Sequence, residues 1–170
     1  MTKRPRGWVN VPSLYSTKNA RGVSIHLGSA GTMVSPGNRD DVIRGGKGPD
    51  RIAGGGGDDN VIGGPGSDSL YGGGGTRDGG RDAVSGGPGK DLISAFDRRD
   101  TRATADTVQC GPGIDVVQAD WNDTVGADCE YVFRGGRQVK MVRNLYRRST
   151  SKAAALRKLQ RMFGSSYRAR

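Results

Sequence analysis

The sequence predicts an all-β fold: a parallel β-roll, a right-handed β-helix of nonapeptide repeats, followed by a short basic C-terminal helix. Two observations carry this prediction. The first is a fixed period. From Gly45 the chain reads GGKGPDRIA, GGGGDDNVI and GGPGSDSLY, three nine-residue units with no residue lost between them. Gly stands at places one, two and four, Asp at place six and an aliphatic residue at place eight, which is the signature of a parallel β-helix. The second is a composition with little to bury: 33% hydrophobic and 6% aromatic residues, with 30 Gly in 170. A conventional core would be small. A disordered Gly-rich linker has no reason to keep Asp and an aliphatic in phase, and collagen needs Gly at every third place.

Taken in order, residues 1–21 form a basic, irregular N-terminal segment. The opening MTKRPRGW has the charge of an export signal, but no apolar stretch of 7–15 residues follows. The true start lies upstream, export takes another route, or the protein stays inside. Residues 22–133 form the roll. Its first element is GVSIHLG, in which Val23, Ile25 and Leu27 alternate with polar residues, a strand expected to cap the first coil with His26 on the outer face. A degenerate unit, PGNRDDVIR, brings Asp41 and Ile43. The three regular units carry Asp50, Asp59 and Asp68 with Ile52, Val61 and Leu70. A stretched unit, Gly72 to Ser85, offers Asp82 and Val84, and a last full unit, GGPGKDLIS, offers Asp91 and Ile93.

Two units make one coil. Asp50 and Asp68 therefore stack on one side, and Asp41, Asp59 and Asp82 on the other. Successive coils lie about 4.8 Å apart, which leaves a groove between stacked turns. Gly lets a turn bring its carbonyls close to a small ion, and hard cations take six to eight oxygens at roughly 2.3–2.6 Å. Carbonyls plus a carboxylate from each of two turns supply such a set, and the ion is Ca²⁺. Clustered negative charge and many Gly residues imply that the metal-free segment is largely unfolded, with folding coupled to the ion.

Beyond Ser94, the stretch from Ala95 to Ala105 reads as a surface excursion. The pattern resumes at Asp106 and in CGPGIDVV, where β-branched residues replace Gly and the coils depend less on metal. Trp121 and Tyr131 are expected to cover the open end. Cys110 and Cys129, about one coil apart, point to a disulfide and an oxidising compartment, against two reduced, buried thiols. With no C-x-x-C and a single His, a zinc site is excluded. Residues 134–170 form a basic tail. Ser149-Thr150-Ser151 offers an N-cap to an amphipathic helix over about 150–163, with Leu156, Leu159, Met162 and Phe163 on one side and Gly164 as its stop.

The net charge of +10 belongs to the ends: all 17 carboxylates lie between Asp40 and Glu130. The tail is read as a solvated helix docked on the stack or as a contact for an anionic surface or polymer; a nucleic-acid binder is a further alternative without a recognised reading motif. No transmembrane stretch is present. No H-E-x-x-H or G-x-S-x-G occurs, no small-molecule substrate is indicated, and residues 1–21 are too few for a catalytic domain, so the chain is expected not to be an enzyme.

On these residues Gly45 to Ser94 resembles the hemolysin-type calcium-binding repeats, the RTX nonapeptides. Asp106 to Val132 is similar to the Cys-containing end of secreted actinobacterial members, and GVSIHLG to the strand that precedes such repeats. The resemblance implies an extracellular protein that holds Ca²⁺ through the side chains of Asp41, Asp50, Asp59, Asp68, Asp82 and Asp91. It also implies turn carbonyls as ligands, from Gly46, Gly48, Gly55, Gly57, Gly64, Gly66, Gly87 and Gly89.

Overall fold

The computed structural model describes residues 24–26, 33–34, 38–73, 80–97, 104–135, 141–142, 144–145, 148–164 and 167–168. The chain alternates between two parallel sheets, one strand to each per coil. One sheet takes β1 (Ser24–His26), β3 (Val42–Arg44), β5 (Asn60–Ile62), β7 (Ala83–Ser85), β9 (Thr107–Gln109) and β11 (Thr124–Val125). The other takes β2 (Met33–Val34), β4 (Arg51–Gly55), β6 (Ser69–Gly73), β8 (Leu92–Ser94), β10 (Val116–Ala119), β12 (Tyr131–Arg134) and β13 (Tyr167–Arg168). Every pairing is parallel, as a parallel β-roll requires.

The strands are this short because each unit has one apolar place to bury. Side chains alternate faces along a strand, so only place eight points inward. The register stacks those places on one another. Ile43 lies beside Val61, Val61 beside Val84 and Val84 beside Val108 in one sheet. Ile52, Leu70, Ile93, Val117 and Val132 follow one another in the other. All are buried in one narrow core. A fully buried aliphatic side chain contributes about 1.5–3 kcal/mol, and a nine-residue unit has one of them. The apolar core alone is a thin support.

Insertions leave this register intact. The stretched unit is five residues longer than the others, and Ala83-Val84-Ser85 still pairs with Asn60-Val61-Ile62. The stretch after Ser94 is not wholly an excursion: Ala95 is buried in the core and donates its N–H to Gln118 O, and Thr104 N–H is held by Asp97. The Cys110–Cys129 disulfide is present, its sulfurs at the C-terminal end of the same core.

The tail is docked by a second apolar cluster. Helix α1 (Lys152–Phe163) starts one turn-residue later than the spacing suggests, with Ser151 as N-cap accepting from Ala154 N–H, and stops at Gly164. It lies against the outer face of the larger sheet, where Leu156 and Leu159 meet Val116, Tyr131 and Phe133. Phe133, Phe163 and Tyr167 stack with centroids 4.4–5.6 Å apart, and β13 extends the sheet beyond β12. Three expectations are corrected here. Tyr131 lies under the helix, its hydroxyl donating to Gly164 O, and does not cover the open end. Trp121 is 62% exposed. Met162 is 51% exposed, and Phe163 beside it is the residue that packs against the cluster. β1 pairs with β3 at the edge expected of the lead-in strand; the inward set Val23, Ile25 and Leu27, the His26 side chain and segment 1–21 lie outside the described residues.

Candidate metal centre

Two columns of carboxylates run along the two edges of the roll. In each, the backbone N–H of an aspartate donates to Oδ1 of the aspartate one coil further on. The first column links Asp41 to Asp59 (2.8 Å), Asp59 to Asp82 (3.0 Å), Asp82 to Asp106 (2.9 Å) and Asp106 to Asp123 (3.1 Å). The second links Asp50 to Asp68 (2.7 Å), Asp68 to Asp91 (2.8 Å), Asp91 to Asp115 (2.7 Å) and Asp115 to Glu130 Oε2 (2.9 Å). The carbonyls run the ladder too: Asp50 O accepts from Ser69 N–H and Asp68 O from Leu92 N–H, so each aspartate is fixed above and below. Asp, one methylene shorter than Glu, keeps its carboxylate within its own turn.

The ladder bond satisfies Oδ1 of each aspartate from Asp59 and Asp68 onward. Oδ2 of Asp50 accepts from Gly46 N–H (2.7 Å) and Oδ2 of Asp123 from Asp120 N–H (2.6 Å), while six others differ. Oδ2 of Asp59, Asp68, Asp82, Asp91, Asp106 and Asp115 is buried without a hydrogen-bond partner. A buried carboxylate oxygen with nothing opposite it is costly, and six recur in register. Each repeat Oδ2 curls back over the first Gly of its own unit. A Cβ on Gly63 would lie 2.5 Å from Asp68 Oδ2 and 2.6 Å from the Gly86 carbonyl of the next coil. On Gly86 it would lie 2.5 Å from both Asp91 Oδ2 and Cys110 O. On Gly54 it would meet Asp59 Oδ2 and Gly72 O. No real Cβ fits there without a shift, so place one is Gly in these units; the Asp115 unit, with Cys110 at place one, departs from this.

Other turn carbonyls press against the glycines of the next coil. Gly46 O and Gly48 O would each lie 2.5 Å from a Cβ on Gly64 and Gly66. Gly64 O, Gly66 O and Gly57 O stand likewise against Gly87, Gly89 and Gly80, and Gly87 O and Gly89 O against Gly111 and Gly113. Place two also has a backbone only Gly adopts readily, with φ of +96° at Gly64 and +116° at Gly55. Among the described residues no three His, Cys, Asp or Glu side chains converge on one point. A metal in these turns therefore takes most of its donors from carbonyl oxygens. That donor set, all oxygen with one carboxylate per turn, fits a hard cation such as Ca²⁺ and excludes soft, thiolate-seeking metals.

Burial sets the electrostatics. It pushes the Asp59 and Asp106 carboxyls up to about 8, Asp115 to about 7, and Asp82 and Asp91 to about 6. Neighbouring carboxylates add to the rise, and the backbone N–H bond opposes it. Asp68 moves the same way.

All six expected aspartates fall in the two columns, and the fourteen-residue unit still delivers Asp82 to its place. Asp106, Asp115 and Asp123, read from the sequence as a resumption of the pattern but not as site residues, continue the columns without the full Gly pattern. The signal was there: Asp106 and Asp115 are nine apart and each precedes an inward Val by two places. Sequence reasoning missed a parallel outer row, in which Asp58 N–H donates to Asp40 Oδ1 and Arg81 N–H to Asp58 Oδ1, both at 2.8 Å. At the C-terminal end the turn carbonyls meet protein cations instead. Arg134 Nη1 donates to Asp120 O and Asp123 O, and Arg168 Nη2 to Gly126 O, Ala127 O and Cys129 O.

Residues 36–70 and 54–76 match the family model of the RTX calcium-binding nonapeptide repeat, which spans four copies. No curated protein and no solved structure matches the chain.

The raised aspartates carry a pH signature. Each holds its proton in the folded chain at a pH where the unfolded chain, near 3.8, has lost it. The folded state then binds more protons, so stability without metal is greatest near the ordinary carboxylate range and falls as pH rises through about 6 to about 8. The folded β signal in metal-depleted buffer should fall from about pH 5 to about pH 8; a flat or rising profile would contradict the burial of charged oxygens.

Proposed function

Because the chain carries RTX calcium-binding nonapeptide repeats, which bind Ca²⁺, we propose that it is a secreted, non-catalytic calcium-binding module whose roll folds when the ion binds. The observation that carries this reading is the set of six buried Oδ2 atoms without partners, three of which (Asp59, Asp68 and Asp91) share their space with a carbonyl oxygen of the next coil. In the metal-free chain they are a penalty at neutral pH. With an ion between stacked turns the same atoms become ligands, and binding energy to a site absent from the unfolded chain becomes folding energy. Of the proposed side-chain ligands, Asp59, Asp68, Asp82 and Asp91 carry such an oxygen, and Asp41 and Asp50 head the two columns as the remaining two; the other open oxygens belong to Asp106 and Asp115. Gly46, Gly48, Gly55, Gly57, Gly64, Gly66, Gly87 and Gly89 are the proposed carbonyl donors.

Secretion is supported by the disulfide, which persists in oxidising compartments; among the described residues no helix is long and apolar enough to cross a membrane. Far-ultraviolet circular dichroism at neutral pH should show a β signal with calcium that is largely lost in excess EDTA and returns on adding calcium back. An unchanged signal in EDTA would defeat the coupling.

One observation favours a second role for the tail. Arg157, Lys158 and Arg161 are exposed on the outward side of α1, while its apolar side is occupied. An anionic surface is the partner this face suits. Reversing all three to Glu should abolish sedimentation with phosphatidylserine vesicles and leave the calcium-induced β signal intact; vesicle binding that survives the reversal would remove this role.

A further inference from the structure

Helix α1 begins with a lysine that does not face solvent in the ordinary way. Lys152 Nζ donates to Ser67 O and Asp68 O, both at 2.7 Å, reaching 84 residues back along the chain to a repeat turn. That turn belongs to the second column, and the ammonium charge bears on both carboxylates of one step, Asp68 and Asp91. The Asp59–Asp82 step differs: the charges bearing on its two aspartates are those of other carboxylates, Asp40, Asp41, Asp58, Asp97 and Asp123. The two columns are thus alike in geometry and unlike in field.

We propose that Lys152 is a tethered cation that competes with calcium at the Asp68–Asp91 step, so that the C-terminal helix sets the calcium affinity of that step. The inference rests on the calcium-binding reading above. Its physical basis is simple. A fixed positive charge on the carbonyl of one ligand residue, beside both carboxylates, repels an arriving divalent ion and already offsets part of the negative charge that attracts it. Screening near a protein surface is incomplete, so the charge is felt. Coupling of this kind is reciprocal: calcium at the step loosens the Lys152 contact by the same factor. Lys suits the role because its compact ammonium has three donors on a flexible stem that can swing away.

Calorimetric calcium titration of the full chain tests this with Lys152→Gln, which removes the charge, and Lys158→Gln, which removes the same charge from an exposed place on the same helix. Lys152→Gln should tighten one class of site roughly tenfold, Lys158→Gln should change affinity by less than about twofold, and Lys152→Arg, which keeps the charge, should follow wild type. If the Gln variant does not reach the folded state in calcium, Lys152→Met serves in its place. Equal affinities for Lys152→Gln and Lys158→Gln, or weaker binding by Lys152→Gln, would overturn the assignment while leaving calcium binding in place. A wild-type chain that takes up no calcium would overturn the underlying reading as well.

Discussion

A carboxylate has two oxygens, and in this chain they have different fates. Oδ1 of one aspartate accepts the backbone N–H of the aspartate a coil earlier, at 2.7–3.1 Å along both columns. That bond sets the stacking of the coils, because it ties one turn to the next at the edge where the strands end. In six of the aspartates Oδ2 is left buried and open. Its charge must be met by a proton or by a metal, and at neutral pH the choice between them is the choice between a strained roll and a stable one.

The rest of the repeat follows from that constraint. Place one is Gly because a Cβ at Gly63 or Gly86 would occupy the space into which Oδ2 and a carbonyl point. Place two is Gly because the chain must turn with positive φ. Place eight is the one apolar place, since only it faces inward, and its single side chain per unit is a modest support. The C-terminal coils solve the problem differently. Val116 and Val117 are both buried there, a disulfide links the last turns, and arginine side chains sit on the terminal carbonyls. Apolar packing and protein-borne cations take over where the Gly pattern fades.

Much of this was legible in the sequence, for a physical reason. A period of nine with one inward place dictates two strands per coil, and hence that Asp59 stacks with Asp41 and Asp82 while Asp68 stacks with Asp50. What was less legible was whatever departed from the local pattern. Asp106, Asp115 and Asp123 read as repeat positions but not as members of the site, and they continue the columns after their glycines have gone, because the ladder bond needs only an aspartate at the right height. Ala95 is buried although its surroundings read as a loop. Trp121 reads as a cap for the open end and stands exposed. Lys152 could not have been found from spacing at all: its partners, Ser67 and Asp68, lie 84–85 residues away.

The ladder amides offer the most direct test of the whole account. Backbone exchange of Asp50, Asp59 and Asp68, whose N–H groups are bonded to the next aspartate, can be followed by amide hydrogen–deuterium exchange at neutral pH with and without calcium. The account predicts strong protection in calcium and exchange near the unfolded rate in chelator. Equal protection in both conditions would mean that the carboxylate columns hold themselves together, and that no cation is needed to close them.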